Sequence, residues 1–151
     1  PALPDFTAAL TQACTDLAMQ LLRDAEGADH EIAITVLHAA TEDDAVEVAR
    51  SVARSNLFKC AVHGEDPNWG RVLAALGTTD AEFDPHQVDV AINGVTVAAG
   101  GAAASGTLPQ VDMREAWVTI DVDLGAGDAE GHVWTNDLTA AYVHENSAYS
   151  S

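Results

Sequence analysis

The chain has 151 residues, 48% of them hydrophobic but only 5% aromatic, and 24 acidic against 6 basic side chains give a formal charge of −18. Such a surface repels phosphate backbones and anionic lipid, which argues against nucleic-acid and membrane-surface binding. The length fits one domain, and no apolar run approaches the roughly 20 residues of a membrane span, so a soluble, cytoplasmic protein without a signal peptide is expected.

Pro4 and Asp5 open a stretch whose apolar residues Phe6, Leu10, Ala13, Leu17 and Leu21 recur at threes and fours, which predicts a helix ending near Arg23. The β-branched run Glu31 to Leu37 predicts a strand. Thr41 followed by Glu42, Asp43 and Asp44 predicts a helix start, with a side-chain cap and then acid at the positive end of the dipole. Arg50 and Arg54 suit the other end of that helix. The apolar run Leu57 to Val62 reads as a short strand. Asp66-Pro67 reads as a second helix start, with Asp66 as N-cap, Pro67 at the first helical position and Gly77 closing it. Val88–Ile92 and Val95–Ala98 around Asn93-Gly94 carry the signal of a hairpin. Residues 100–106 read as a flexible glycine- and alanine-rich loop. Trp117 to Leu124 alternates as a strand with one wet face, Gly125 to Gly127 turns, and His132-Val-Trp134 reads as its partner strand. A short helix is expected from Leu138 to Tyr142, before the terminal Asn146 to Ser151. Together these elements predict one α/β (α+β layered) domain with a mixed sheet and helices.

The residues that could carry chemistry are few. No pair among His30, His38, His63, His86, His132 and His144 has the spacing of a zincin helix or a zinc finger, and Asp121 and Asp123 share a strand face without further ligands, so no metal site is expected. No Gly-x-Ser-x-Gly elbow exists. Cys14 and Cys60 fall within apolar patterns and read as buried, inert thiols rather than a disulfide pair. The loop 100–106 lacks the Walker lysine and dinucleotide spacing. In Lys59-Cys-Ala-Val-His-Gly-Glu-Asp-Pro-Asn-Trp-Gly-Arg71, a glycine precedes a helix N-terminus whose free N–H groups could hold a carboxylate. Capping of that helix by Asp66 is the commoner use of such residues.

Asp66-Pro-Asn-Trp-Gly-Arg71, preceded by Lys59 and His63-Gly64, resembles the signature of the ornithine acetyltransferase (glutamate N-acetyltransferase) family. Asp24-Ala-Glu-Gly-Ala28 resembles that family's Asp-Gly-Glu-Gly-Ala motif. Asn136-Asp-Leu-Thr139, with Tyr142-Val and Asn146 to Ser151, resembles its C-terminal segment. The resemblance spans essentially the whole chain. It implies an arginine-biosynthesis acyltransferase whose precursor cuts itself before a threonine. That new N-terminal threonine then carries acetyl from N-acetylornithine to glutamate, with no acetyl-CoA, metal or other cofactor needed.

On the same resemblance, residues 1–151 are the C-terminal part of the β chain. The nucleophilic threonine lies upstream, so no catalytic residue falls within the chain. Its partners are the α chain and the remainder of the β chain of one precursor, in a hetero-oligomer. Glu26, Asn146 and Ser151 match the family's substrate-binding positions, Glu26 meeting a substrate ammonium. Read without the family, Glu26 is an exposed acid at a helix end and the last residues are a fraying terminus. The chain departs from the pattern at Gly27-Ala-Asp-His30, where Gly-Ala-Thr-Lys is usual, losing a basic residue and gaining an acid. Ala25 stands for a glycine, and Thr135-Asn136 for the commoner Gly-Cys. The competing reading is a catalytically inert amino-acid-binding or regulatory domain of the same descent.

Overall fold

The computed structural model describes residues 3–104 and 110–148. The alternation of the Ile32 to Val36 run makes β1 (Glu31–Ala39) the spine of a six-stranded sheet. Its even-numbered residues Ile32, Ile34 and Val36 are fully buried, and the odd-numbered ones face the other way. β1 pairs in parallel with β5 (Trp117–Asp123), placing Ile34 beside Ile120, and antiparallel with β6 (Ala129–Asn136), placing it beside Val133. The sheet continues from β5 through β2 (Asp89–Ile92) and β3 (Val95–Ala99) to the two-residue β4 (Ala102–Ala103), in the order β4-β3-β2-β5-β1-β6. Between β2 and β3, Asn93 and Gly94 both take positive φ (48° and 74°), the primed turn that Asn-Gly favours.

Three helices cover one face of the sheet. Helix α2 (Glu42–Arg54) starts where Thr41 accepts a bond from the Asp44 N–H at 3.1 Å. It lays Ala45, Val48, Ala49 and Val52 on β1 and β6. Helices α3 (Asn56–His63) and α4 (Trp69–Leu76) pack beside it, adding Phe58, Val62, Val72 and Leu76 to the same core. Outside this block lie α1 (Leu3–Arg23), on the β6 side, and α5 (Ala140–Ala148); neither has a buried residue. No helix among the described residues is long and apolar enough to cross a membrane.

Several expectations are corrected. Leu57 to Val62 is helix α3, not a strand: Ser55 caps it by accepting from the Phe58 N–H, and Phe58, Ala61 and Val62 recur at helical spacing on the buried side. Asp66 does not cap α4. Asn68 does, accepting from the Arg71 N–H at 3.2 Å, so the helix begins at Trp69 and Asp66 instead accepts from the Asn68 amide. The strand holding His132 to Trp134 pairs with β1 rather than with the strand before it. Cys14 and Cys60 are both exposed. Cys14 is exposed because the apolar stripe of α1 has no cover among the described residues: Phe6 is 57% and Leu17 60% exposed. Cys60 lies on the solvent side of α3. The expected loop at 100–106 includes strand β4, with residues 105–106 outside the described set. The final helix starts later and runs further than Leu138 to Tyr142.

Candidate functional site

The turn that ends α1 and the residues that start α5 meet across more than a hundred positions of sequence. Gly27 lies in this turn at φ 68°. A Cβ there would sit 2.5 Å from the Tyr142 nitrogen and 2.8 Å from its Cα, so only glycine allows α5 to approach this closely. Thr139 joins the two segments: its hydroxyl donates to the Gly27 carbonyl and accepts from the Tyr142 N–H at 2.9 Å, the bond of an N-cap. Asn136, at the end of β6, donates from its amide to the carbonyls of Leu22 and His30 at 3.1 and 3.2 Å, pinning the last turn of α1.

Beneath the turn lies a polar knot. Asp137 is buried; its Oδ1 accepts from the Asp29 N–H at 3.0 Å and its Oδ2 lies 2.8 Å from His30 Nδ1. His30 Nε2 lies 3.2 Å from the Met113 carbonyl, so this buried imidazole has a partner on each side. Beside them His63 Nδ1 is 3.2 Å from Asp29 Oδ2 and 3.7 Å from Asp137 Oδ2. At position 30, where the resemblance implies a lysine, the chain carries a histidine that reaches Asp137. The added acid, Asp29, finds His63. Asp29, His63 and Asp137 offer ligand atoms within 4.8 Å of one another, a grouping that histidine spacing alone did not suggest. The two Asp137 oxygens face the Asp29 N–H and His30 Nδ1, while His63 stands at ion-pair distance from both carboxylates.

Above the knot opens a cavity of about 230 Å³, lined among others by Glu26, Asn56, Lys59, Asn136 and Tyr142. Its place is fixed by the Leu138 N–H donating to the Lys59 carbonyl at 3.3 Å, which ties α3 to the segment before α5. Asn146, one helical turn beyond Tyr142, donates from its amide to Glu26 Oε2 at 3.3 Å and to the Tyr142 carbonyl at 2.9 Å. Glu26 and Asn146, expected at the site on different motifs 120 residues apart, are therefore in contact, Glu26 lining the cavity and Asn146 standing behind it. Ser151, the third expected residue, lies outside the described residues. Lys59 and Asn56 were not singled out as site residues. Reading Leu57 to Val62 as a strand hid them, whereas a helix turns both toward one cavity.

The cavity has the chemistry to hold a small zwitterion. Glu26 can face an ammonium and Lys59 a carboxylate, and the Asn146 amide, its two hydrogens given to Glu26 and Tyr142, keeps its oxygen to accept. Among the described residues no carboxylate lies within 4.0 Å of the Lys59 ammonium.

The model of the ArgJ family matches residues 1–151. The arginine biosynthesis bifunctional protein ArgJ 1 of Streptomyces clavuligerus is 59% identical over 151 residues, covering 100% of this chain and 39% of that protein. The ArgJ protein of Mycobacterium tuberculosis (strain H37Rv) is 48% identical over 151 residues, covering 100% of this chain and 37% of its own length. The crystal structure of the ArgJ protein of Bacillus halodurans superposes with a TM-score of 0.87 at 35% identity, over 99% of this chain and 71% of that one. The chain thus spans well under half the length of the curated relatives it matches. With its family model matched from end to end, the chain belongs to the ArgJ family.

Proposed function

We propose that this chain is the C-terminal part of the β chain of an acetyltransferase that moves acetyl from N-acetylornithine to glutamate in arginine biosynthesis. The observation that carries the reading is the Asn146–Glu26 contact beside a cavity that Glu26 and Lys59 both line. Family membership supplies the chemistry, and the cavity supplies an ammonium partner in Glu26 and a carboxylate partner in Lys59 at one place.

In this reading the nucleophile is a threonine contributed by the preceding segment of the same precursor, and the α chain completes the site. The threonine oxygen attacks the acetyl carbonyl, the tetrahedral oxyanion collapses, and the ornithine amine leaves with a proton. The α-amine of glutamate then attacks the acyl-enzyme, releasing N-acetylglutamate and restoring the hydroxyl. Within this chain, Glu26 orients the substrate by its ammonium and Lys59 by its carboxylate. Asn146, with Ser151, closes over the bound molecule. No cofactor takes part in the transfer.

Ornithine release from N-acetylornithine and glutamate by the complete protein is the assay. Glu26→Gln should lower kcat/KM by about one to two orders of magnitude, the loss of one charge-assisted bond worth on the order of 1.5–3 kcal/mol, with melting nearly unchanged. Normal kinetics in that variant would remove Glu26 from the site. Substrate binding by the wild type without ornithine release would leave an amino-acid-binding domain instead of an enzyme.

A further inference from the structure

Half of the chain's six basic side chains gather at one place that the acetyl-transfer site does not use. Arg50 and Arg54 on α2 and Arg71 on α4 line an open cleft of about 700 Å³ between these helices and the start of α3. The cleft shares no lining residue with the cavity of Glu26 and Lys59. With 24 acidic residues in the chain, a carboxylate partner is within reach of some arginines. Arg23 has Glu31 at 3.2 Å, and Arg114 has Asp112 at 2.5 Å, holding that carboxyl well below the usual carboxylate range. Yet among the described residues no carboxylate oxygen comes within 4.0 Å of the guanidinium groups of Arg50, Arg54 or Arg71, although Asp43 and Glu47 lie on the same cleft wall. Glu47 is turned to another task, accepting from the Asp80 N–H at 2.9 Å.

Further donors converge there. Arg71 is half-buried and held in place, its Nη1 donating to the Leu57 carbonyl at 2.6 Å, which leaves its other N–H groups free. Ser55, also on the wall, spends its oxygen lone pair on the Phe58 N–H and keeps its own proton to donate. It stands at the N-terminus of the eight-residue α3, whose first N–H groups have no acceptor within the helix. A chain of net charge −18 repels anions at long range, so an anion held here must be held by local donors, and screening beyond about 8–10 Å leaves those donors dominant.

We propose that the Arg50–Arg54–Arg71 cleft binds a small polyanion carrying two or more oxyanion groups. Planar guanidinium groups match carboxylate and phosphate oxygens alike, and the cleft is large enough for a metabolite of that kind. This site is independent of the acetyl-transfer reading.

Calorimetric titration of the complete protein at low salt with citrate and, separately, with inorganic pyrophosphate tests it. Saturable binding of at least one anion is expected, weakening as salt is raised. The tighter of the two assigns the site to carboxylates or to phosphates. Because Arg71 also supports α3, the decisive variant is Arg50→Gln with Arg54→Gln, both exposed, with Arg114→Gln as control. The double variant should bind on the order of 100-fold weaker, since each lost charge-assisted contact is worth about 10-fold, and the control should bind as the wild type does. No saturable binding of either anion, or equal affinity in the double variant and wild type, would overturn the proposal.

Discussion

The block of α2 on β1 and β6 and the junction of the 24–28 turn with α5 are ordered by different physics. In the block, Ile32, Ile34 and Val36 of β1 meet Val48 and Val52 of α2, all fully excluded from water. Burial of such residues, roughly 1.5–3 kcal/mol for each, is non-directional and tolerates no nearby polar group without a partner. At the junction no residue of α1 or α5 is buried, and order comes from directional bonds made by Asn136, Asp137 and Thr139 to segments more than a hundred residues away. A site built this way can exchange the residues that touch a ligand without unfolding the scaffold beneath it. Its weak point is the polar knot, because loss of one partner leaves a buried group unsatisfied.

Substitutions should separate the two regions by size of effect. Ile34→Ala, at the centre of the block, should destabilise the fold by about 3 kcal/mol in a denaturant titration, the usual range for a fully buried aliphatic truncation. Asp137→Asn keeps the shape of the knot but removes the charge facing His30. A loss of about 2 kcal/mol is expected, together with impaired acetyl transfer, since the same residue sets the wall of the cavity. If Asp137→Asn were neutral in both assays, the knot would contribute nothing to the junction. Leu17→Ala, on the open stripe of α1, should change the stability of the 151-residue chain by no more than about 0.5 kcal/mol. A larger loss would mean that the stripe is covered within this chain.

The block was the legible part of the sequence. Alternation in Ile32 to Val36, the Thr41 cap with its three acids, and Asn93-Gly94 each have one dominant local solution, and the structure adopts it. Leu57 to Val62 does not: a short apolar run satisfies a buried strand and an amphipathic helix equally, and the cap at Ser55 decides it. The α1 stripe announced an apolar face but not what it meets, so Cys14 was misplaced. Pairing of β6 with β1, and the convergence of His30, His63 and Asp29 on Asp137, are tertiary facts with no local signature. At the site the motifs supplied Glu26 and Asn146 through family resemblance alone. The sequence pattern by itself left one as a solvated acid and the other on a fraying end.

In the proposed function Glu26 and Asn146 act on one substrate as a bonded pair beside one cavity. A double-mutant cycle in the complete protein measures it most directly: kcat/KM with N-acetylornithine for Glu26→Gln, Asn146→Ala and both together. Each single variant should lose activity mainly through KM, and the double should lose clearly less than the product of the two singles, because either change breaks the shared contact. Two singles with wild-type kinetics, or losses that multiply as for unconnected residues, would contradict the account.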